Sequence, residues 1–298
     1  MIKEQIKAYI DLLRLHFFFA WPLLFCAGLF LGFANYGGFD WVLVLKAVFI
    51  ALFGFEAGFI LNDYVDRDLD KKDVDQSLTN YWRVFNTRPL STGLITSKQA
   101  LGLFFFLVAL TTILILTLPY PHSLYLLIIM IYAYGMEVFY QLHKRKQHFP
   151  IAQLLGRTDF TLFPIAGYLV VGHPDWTVFL IFLFFYPFAI AHLGLNDLAD
   201  VENDKARNLK AVTVMYGIKG TLLWITLFTI IHFGTASLFL FNWGIIAIGG
   251  FLIGFILLGI ANILLWKKPQ PQKSLRILPF FHITMLIYSL SLIFDFLW

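Results

Sequence analysis

The chain has 298 residues, of which 59% are hydrophobic and only 13% charged. A soluble domain carries roughly 25% charged residues, so this sequence cannot clothe a water-facing surface, and its natural solvent is a lipid bilayer. The net charge of +4 would suit nucleic acid, but the placement of the basic residues excludes that partner.

Met1 to Arg14 is polar and amphipathic, and the apolar stretch behind it is long enough to span, so no cleavable signal peptide is expected. A spanning helix takes about 20 mostly apolar residues. Such stretches fall at roughly 15–34, 42–63, 98–118, 121–141, 151–172, 176–197, 217–238, 241–266 and 277–297, which predicts an all-α, polytopic bundle of nine transmembrane helices. Turns rich in Gly, Pro, Asn and Asp separate several of them: Asn35-Tyr36-Gly37-Gly38, Pro119-Tyr120-Pro121, Gly172-His173-Pro174-Asp175 and Phe241-Asn242-Trp243-Gly244. Nothing divides the chain, so residues 1–298 read as a single integral membrane domain. Cys26 lies in the first apolar run and, as the only cysteine, forms no internal disulfide.

The basic residues alternate with the connections. Lys3, Lys7 and Arg14 precede the first span; Arg67, Lys71, Lys72, Arg83, Arg88 and Lys98 follow the second; Lys144, Arg145 and Lys146 follow the fourth; Lys205, Arg207, Lys210 and Lys219 follow the sixth; Lys267, Lys268, Lys273 and Arg276 follow the eighth. The other turns carry none. A Lys and Arg excess marks cytoplasmic loops, so the N-terminus and every connection after an even-numbered span are expected in the cytoplasm. Topology thus accounts for the basic residues without nucleic acid. Apart from Lys98 and Lys219 at the first turns of their spans, only Lys46 and Arg157 fall inside predicted spans, and Lys46 is expected to snorkel to the interface.

Two acidic motifs sit at the expected cytoplasmic ends of the second and sixth spans. The first reads Asn62-Asp63-x-x-Asp66-x-x-x-Asp70 and the second Asn196-Asp197-x-x-Asp200-x-x-x-Asp204. Residues three and four apart share a helical face, so each motif sets three like charges side by side, at the helix end whose dipole disfavours anions. Stability alone gives no reason for that pattern, and a bound divalent cation does. Mg²⁺ takes oxygen ligands and is usually held by a few carboxylates together with substrate phosphates. Two facing carboxylate clusters are therefore expected to bind a diphosphate through Mg²⁺, with Asp63, Asp66, Asp70, Asp197, Asp200 and Asp204 as metal ligands and catalytic residues. The bland alternative, solvated loop aspartates balanced by nearby Lys and Arg, would not repeat one spacing at two helix ends.

With these residues in view, the sequence resembles the UbiA superfamily of intramembrane prenyltransferases. The resemblance rests on Asn62 to Asp70, on Arg88-Pro89-Leu90-Ser91-Thr92-Gly93 and on Asn196 to Asp204, and the helix layout extends it over essentially the whole chain. It implies a helical bundle around a central cavity open toward the bilayer. It also implies Mg²⁺-dependent transfer of a prenyl group from an isoprenyl diphosphate to a lipophilic or aromatic acceptor. By position it makes Asn62 and Asn196 substrate-binding residues beside the metal ligands, and Arg88 a diphosphate contact. Two features depart from the better-known aromatic-acceptor members. The stretch between Asp70 and Arg88 is long and holds the amphipathic piece Tyr81-Trp82-Arg83-Val84-Phe85, a cap over the site or an interfacial anchor. The second motif reads Asn-Asp-x-x-Asp rather than Tyr-Asp-x-x-Tyr, which puts 4-hydroxybenzoate in doubt as acceptor.

Other residues are weighed beside these. Arg157 and Asp159 are costly inside a membrane. Two apart, they do not share a helical face, and Arg157 is expected to point into the cavity as a substrate ligand unless the helix begins later. Arg14 reads as an interfacial anchor, with a phosphate contact as the alternative. Lys144 and Arg145 are explained by topology or contact a phosphate. His192 reads as a satisfied bundle histidine, and most of the 34 phenylalanines as packing or lipid-facing residues, some lining the prenyl channel. Rival functions are a phosphosugar transferase acting on a prenyl phosphate, a transporter and a silent scaffold. A transporter holds its ion site near the membrane midplane, unlike these motifs. The expected partners are an isoprenyl diphosphate, a membrane-soluble acceptor and the bilayer itself, with no obligate protein partner, most naturally in a prokaryotic cell membrane.

Overall fold

A computed structural model describes residues 2–240 and 243–298. Its helices are α1 (Ile2–Leu12), α2 (Ala20–Tyr36), α3 (Trp41–Asp66), α4 (Ser77–Trp82), α5 (Ser97–Leu116), α6 (His122–His143), α7 (Ile151–Gly156), α8 (Thr158–Tyr168), α9 (Trp176–Ala199), α10 (Val201–Ala206), α11 (Val212–Leu240), α12 (Ile245–Lys267), α13 (Pro271–Ser274) and α14 (Leu278–Leu297). Among the described residues there is no strand, and eight helical segments are long and apolar enough to cross a membrane. These match eight of the nine predicted stretches; the remaining one, 151–172, is broken into α7 and α8.

The expected turns supply the helix starts. Asp40 caps α3 by accepting from the Val42 amide at 3.0 Å, and Asp175 caps α9 by accepting from the Thr177 amide at 2.8 Å. Such caps satisfy amides that the helix leaves unpaired. Thr96 and Gln99 form a reciprocal capping box at α5. The start of α12 borrows its cap from α14, where Asp295 accepts from the amides of Gly244, Ile246 and Ala247. Of the turn predicted at 241–244, Phe241 and Asn242 lie outside the described residues. The seventh span begins where expected: Gly217 interrupts α11 with a φ of 68°.

Helix α9 is buried along much of its length and packs mainly on α11 and α8. Helices α2 and α8 cross in backbone contact. A Cβ added to Gly28 would overlap the Pro164 carbonyl, and one added to Gly167 would overlap the Phe25 carbonyl. Lipid-embedded helices associate through such small residues because lipid offers no hydrophobic gain for their contact. At the end of the bundle away from the motifs, Tyr36 and Tyr168 donate to Asp175 at 2.8 and 2.6 Å and tie α2, α8 and α9 together.

Candidate active site

Both motifs lie at one end of the bundle, but neither stays on a single helix. Asn62, Asp63 and Asp66 occupy the last turns of α3, while Asp70 opens a separate 3-10 turn. Asp197 is in the last turn of α9, Asp200 ends that helix, and Asp204 lies in α10. The expected single helical face is therefore replaced by a helix end and the turn after it. The chain bends over the bundle at both places and turns the third aspartate inward.

The first motif is buried, with Asp63, Asp66 and Asp70 exposed by only 2%, 4% and 6%. Each carboxylate takes two basic side chains. Asp63 pairs with Arg14 at 3.0 Å and with Arg83. Asp66 pairs with Lys144 at 2.7 Å and Arg145 at 3.2 Å. Asp70 pairs with Arg88 at 2.8 Å and Arg207 at 3.1 Å. Buried charges persist only when paired, and here cations outnumber carboxylates around the first motif.

The second motif is less compensated. Asp197 accepts from the Val212 amide at 2.9 Å and from Gln153 at 3.4 Å. Asp200 accepts from Asn203 at 2.7 Å and stands 3.8 Å from Arg207. Asp204 has no basic side chain at ion-pair distance among the described residues; burial, then repulsion from Asp200 and Asp197, holds its carboxyl well above the usual range. Burial also raises Asp200 and Asp70, while neighbouring carboxylates raise Arg207 after burial has pulled it down. Arg207 joins the two motifs physically, since it reaches both Asp70 and Asp200.

Beside Asn62 of the first motif lies a cavity of about 190 Å³. Its walls are aromatic, with Phe55, Phe59, Phe160 and Phe163 from α3 and α8, and its polar lining includes Arg14, Asn62, Glu137, Arg157 and Asp159. Asn62 donates to Glu137 at 2.6 Å. Arg157 sits at the break between α7 and α8, so the expectation that Arg157 and Asp159 point apart on one helix does not hold: both line the cavity. The Arg157 guanidinium lies over the Tyr140 ring at 5.4 Å, its Nε is buried without a partner, and among the described residues no carboxylate reaches it at ion-pair distance.

Three further readings change. Arg14 is no mere interfacial anchor, because it is half-buried, pairs with Asp63 and stacks over Phe59 at 4.2 Å. Lys144 and Arg145 do more than mark topology, since both hold Asp66. Asn196 stands beside His192, 3.3 Å from its carbonyl oxygen, rather than among the carboxylates. The segment between Asp70 and Arg88 is a cap rather than an anchor at the interface. Its backbone at Val74 and Asp75 donates to Asn203, and its far end at Phe85 and Thr87 donates to the buried Asp11 of α1. Sequence reading alone missed Arg83, Arg207, Asn203, Glu137 and Asp73, which pairs with Arg88 at 3.0 Å and with Arg207. Arg83 was detectable as a lone cation inside the amphipathic piece, whereas the others depend on long-range pairing.

Comparison with known proteins places this geometry. The sequence model of the UbiA prenyltransferase family matches residues 20–289. A 4-hydroxybenzoate octaprenyltransferase of Hydrogenovibrio crunogenus is 27% identical over 220 residues, which span 72% of this chain and 71% of that one. Among solved structures, digeranylgeranylglyceryl phosphate synthase superposes with a TM-score of 0.69 at 23% identity, covering 98% of this chain and 99% of that one. A UbiA homologue from Archaeoglobus fulgidus bound to GPP and Mg²⁺ superposes with a TM-score of 0.69 at 18% identity, covering 96% and 99%. Both likenesses support the same helical fold. With the family match over most of its length and two acidic motifs joined through Arg207, the chain belongs to the UbiA prenyltransferase family and is an integral membrane prenyltransferase.

Proposed function

We propose that this enzyme transfers a prenyl group from an isoprenyl diphosphate to a small aromatic carboxylic acid, with Mg²⁺ at the two acidic motifs, acting as one domain across residues 1–298. The observation that carries the reading is the bridge from Asp70 through Arg207 to Asp200, which brings the two motifs together at one end of the bundle. The donor set suits Mg²⁺, being carboxylate oxygen alone. The less compensated second motif has a charge deficit that a divalent cation would fill, and binding at the first motif would exchange basic side chains for metal. When bound, Mg²⁺ neutralises charge on the departing diphosphate. The arginines and Lys144 now on the first motif would be free to bind diphosphate oxygens once they leave their carboxylates. The aromatic wall shields the allylic centre from water, and a dry site strengthens each of these charge interactions.

Arg157 supports an anionic acceptor. It is a half-buried guanidinium that lines the cavity with no ion-pair partner among the described residues, and a carboxylate is a fitting ligand for its planar fork. The similar bacterial enzyme named for 4-hydroxybenzoate points the same way and bears against the doubt raised by the second motif's sequence. The placement of Lys and Arg, with the bacterial source of that relative, supports a prokaryotic cell membrane with the motifs on the cytoplasmic side.

The test offers purified enzyme geranylgeranyl and longer diphosphates with a panel of aromatic acids, quinone precursors and glycerol phosphate lipids. Transfer to an aromatic acid is expected. Transfer to a glycerol phosphate lipid alone would overturn the acceptor. Arg157→Gln removes no ion pair, so the variant should fold normally. A hydrogen bond to a charged group is worth about 1.5–3 kcal/mol, so the variant's KM for the acid should rise roughly tenfold to a hundredfold while its KM for the diphosphate stays near the native value.

A further inference from the structure

The cap makes one contact that reaches past the first motif. Tyr81, in the last turn of α4, stands 2.7 Å from His282 Nδ1 on α14. The other ring nitrogen of His282 lies 2.9 Å from His192 Nε2 on α9. His192 sits one turn before Asn196, the residue that opens the second motif. With the Tyr81 hydroxyl donating to Nδ1, His282 keeps its proton on Nε2 and donates it to His192, so a single tautomer serves both bonds. Phe17 and Trp82 pack around the Tyr81 and His282 rings, with centroids 5.0–6.1 Å apart.

The cap is anchored along its middle, where His16 Nε2 lies 3.4 Å from the Tyr81 carbonyl oxygen and Arg88 donates to Thr79 at 3.0 Å, and at its ends. Asn203 fixes residues 74–75 and Asp11 fixes residues 85–87. Between them, the Tyr81 hydroxyl is the cap's hydrogen bond to α14, and two residues further on stands Arg83, buried on Asp63.

We propose that Tyr81 is a positioning residue for prenyl diphosphate. Through His282 and His192 it locks the cap so that Arg83 stands at the first motif, and it ties the cap to the helix that carries the second. This rests on the reading of the first motif as a diphosphate site. Neither Tyr81 nor either histidine lines the aromatic cavity, so the acceptor is untouched by the lock.

The test is a kinetic cycle on the full-length enzyme with Tyr81→Phe, Arg83→Gln and the double variant. Tyr81→Phe keeps the ring and its packing and removes only the hydroxyl. One hydrogen bond is worth about 0.5–1.5 kcal/mol net, or roughly twofold to tenfold. Tyr81→Phe should raise KM for the diphosphate by that factor and leave KM for the acceptor unchanged. Arg83→Gln should raise it further, and the double variant should match Arg83→Gln alone, since Tyr81 acts through Arg83. His282→Phe should behave as Tyr81→Phe does. Effects that multiply, an equal rise in acceptor KM, or no change in either single variant would overturn the proposal while native transfer stands. Absence of transfer by the native enzyme would instead overturn the function on which it rests.

Discussion

Asp204→Asn is expected to abolish prenyl transfer and at the same time raise the melting temperature. The Asp204 carboxyl is buried, has no basic partner at ion-pair distance among the described residues, and is destabilised by Asp200 and Asp197. The amide removes that repulsion at nearly the same shape, so the folded protein gains. Each kcal/mol relieved is worth about 2–4 °C for a chain near this size. The same change takes away one of three carboxylates at the motif that most lacks positive charge. Loss of one preorganised electrostatic group typically costs about 10²–10³ in rate, and kcat/KM should fall at least that far. The opposite signs are the informative part, because a residue kept for folding would lose both. Thermal unfolding and initial-rate assays on one preparation check this; a variant less stable than the native enzyme, or as active, would contradict it.

The second large effect lies far from the chemistry. Gly28→Val is expected to cost about 3 kcal/mol or more, at the upper end for overpacking, because the added Cβ meets the Pro164 carbonyl and the Tyr168 amide. Both obstacles are backbone, so no change of rotamer relieves them. Helices α2 and α8 would separate, and α8 carries Asp159 with Arg157 at its start. The melting temperature should drop by roughly 10 °C, and surviving protein should show a weakened acceptor site. Gly167→Val, on the facing helix, should behave alike. Native stability in either variant would show that the two helices do not need their close approach.

What was legible in the sequence follows from physical range. Helix placement and both acidic motifs are local patterns, because a span is a run of apolar residues and a motif is a fixed spacing. The partners of those aspartates are not local. Arg14 lies 49 positions from Asp63 and Lys144 lies 78 from Asp66, so nothing near Arg14 distinguishes an interfacial anchor from a motif partner. Charge counting placed Arg145 and Arg207 on the correct end of the bundle but could not tell topology from site, because the same residues serve both. The broken fifth stretch was hidden because its apolar content runs on through Arg157. A lone arginine between Gly156 and Asp159 in such a run was the available signal for the break. The cap was visible as unusual length, and only its contacts reveal that Asp11, Asn203 and His282 hold it down.

If the paired motifs bind diphosphate through Mg²⁺, removing the metal stops transfer and restoring it brings transfer back. Purified enzyme is incubated with geranylgeranyl diphosphate and 4-hydroxybenzoate in Mg²⁺, then in EDTA, then with Mg²⁺ restored. Prenylated product is expected in the first and third conditions and not in the second. Product formed in EDTA at the undiminished rate would contradict it.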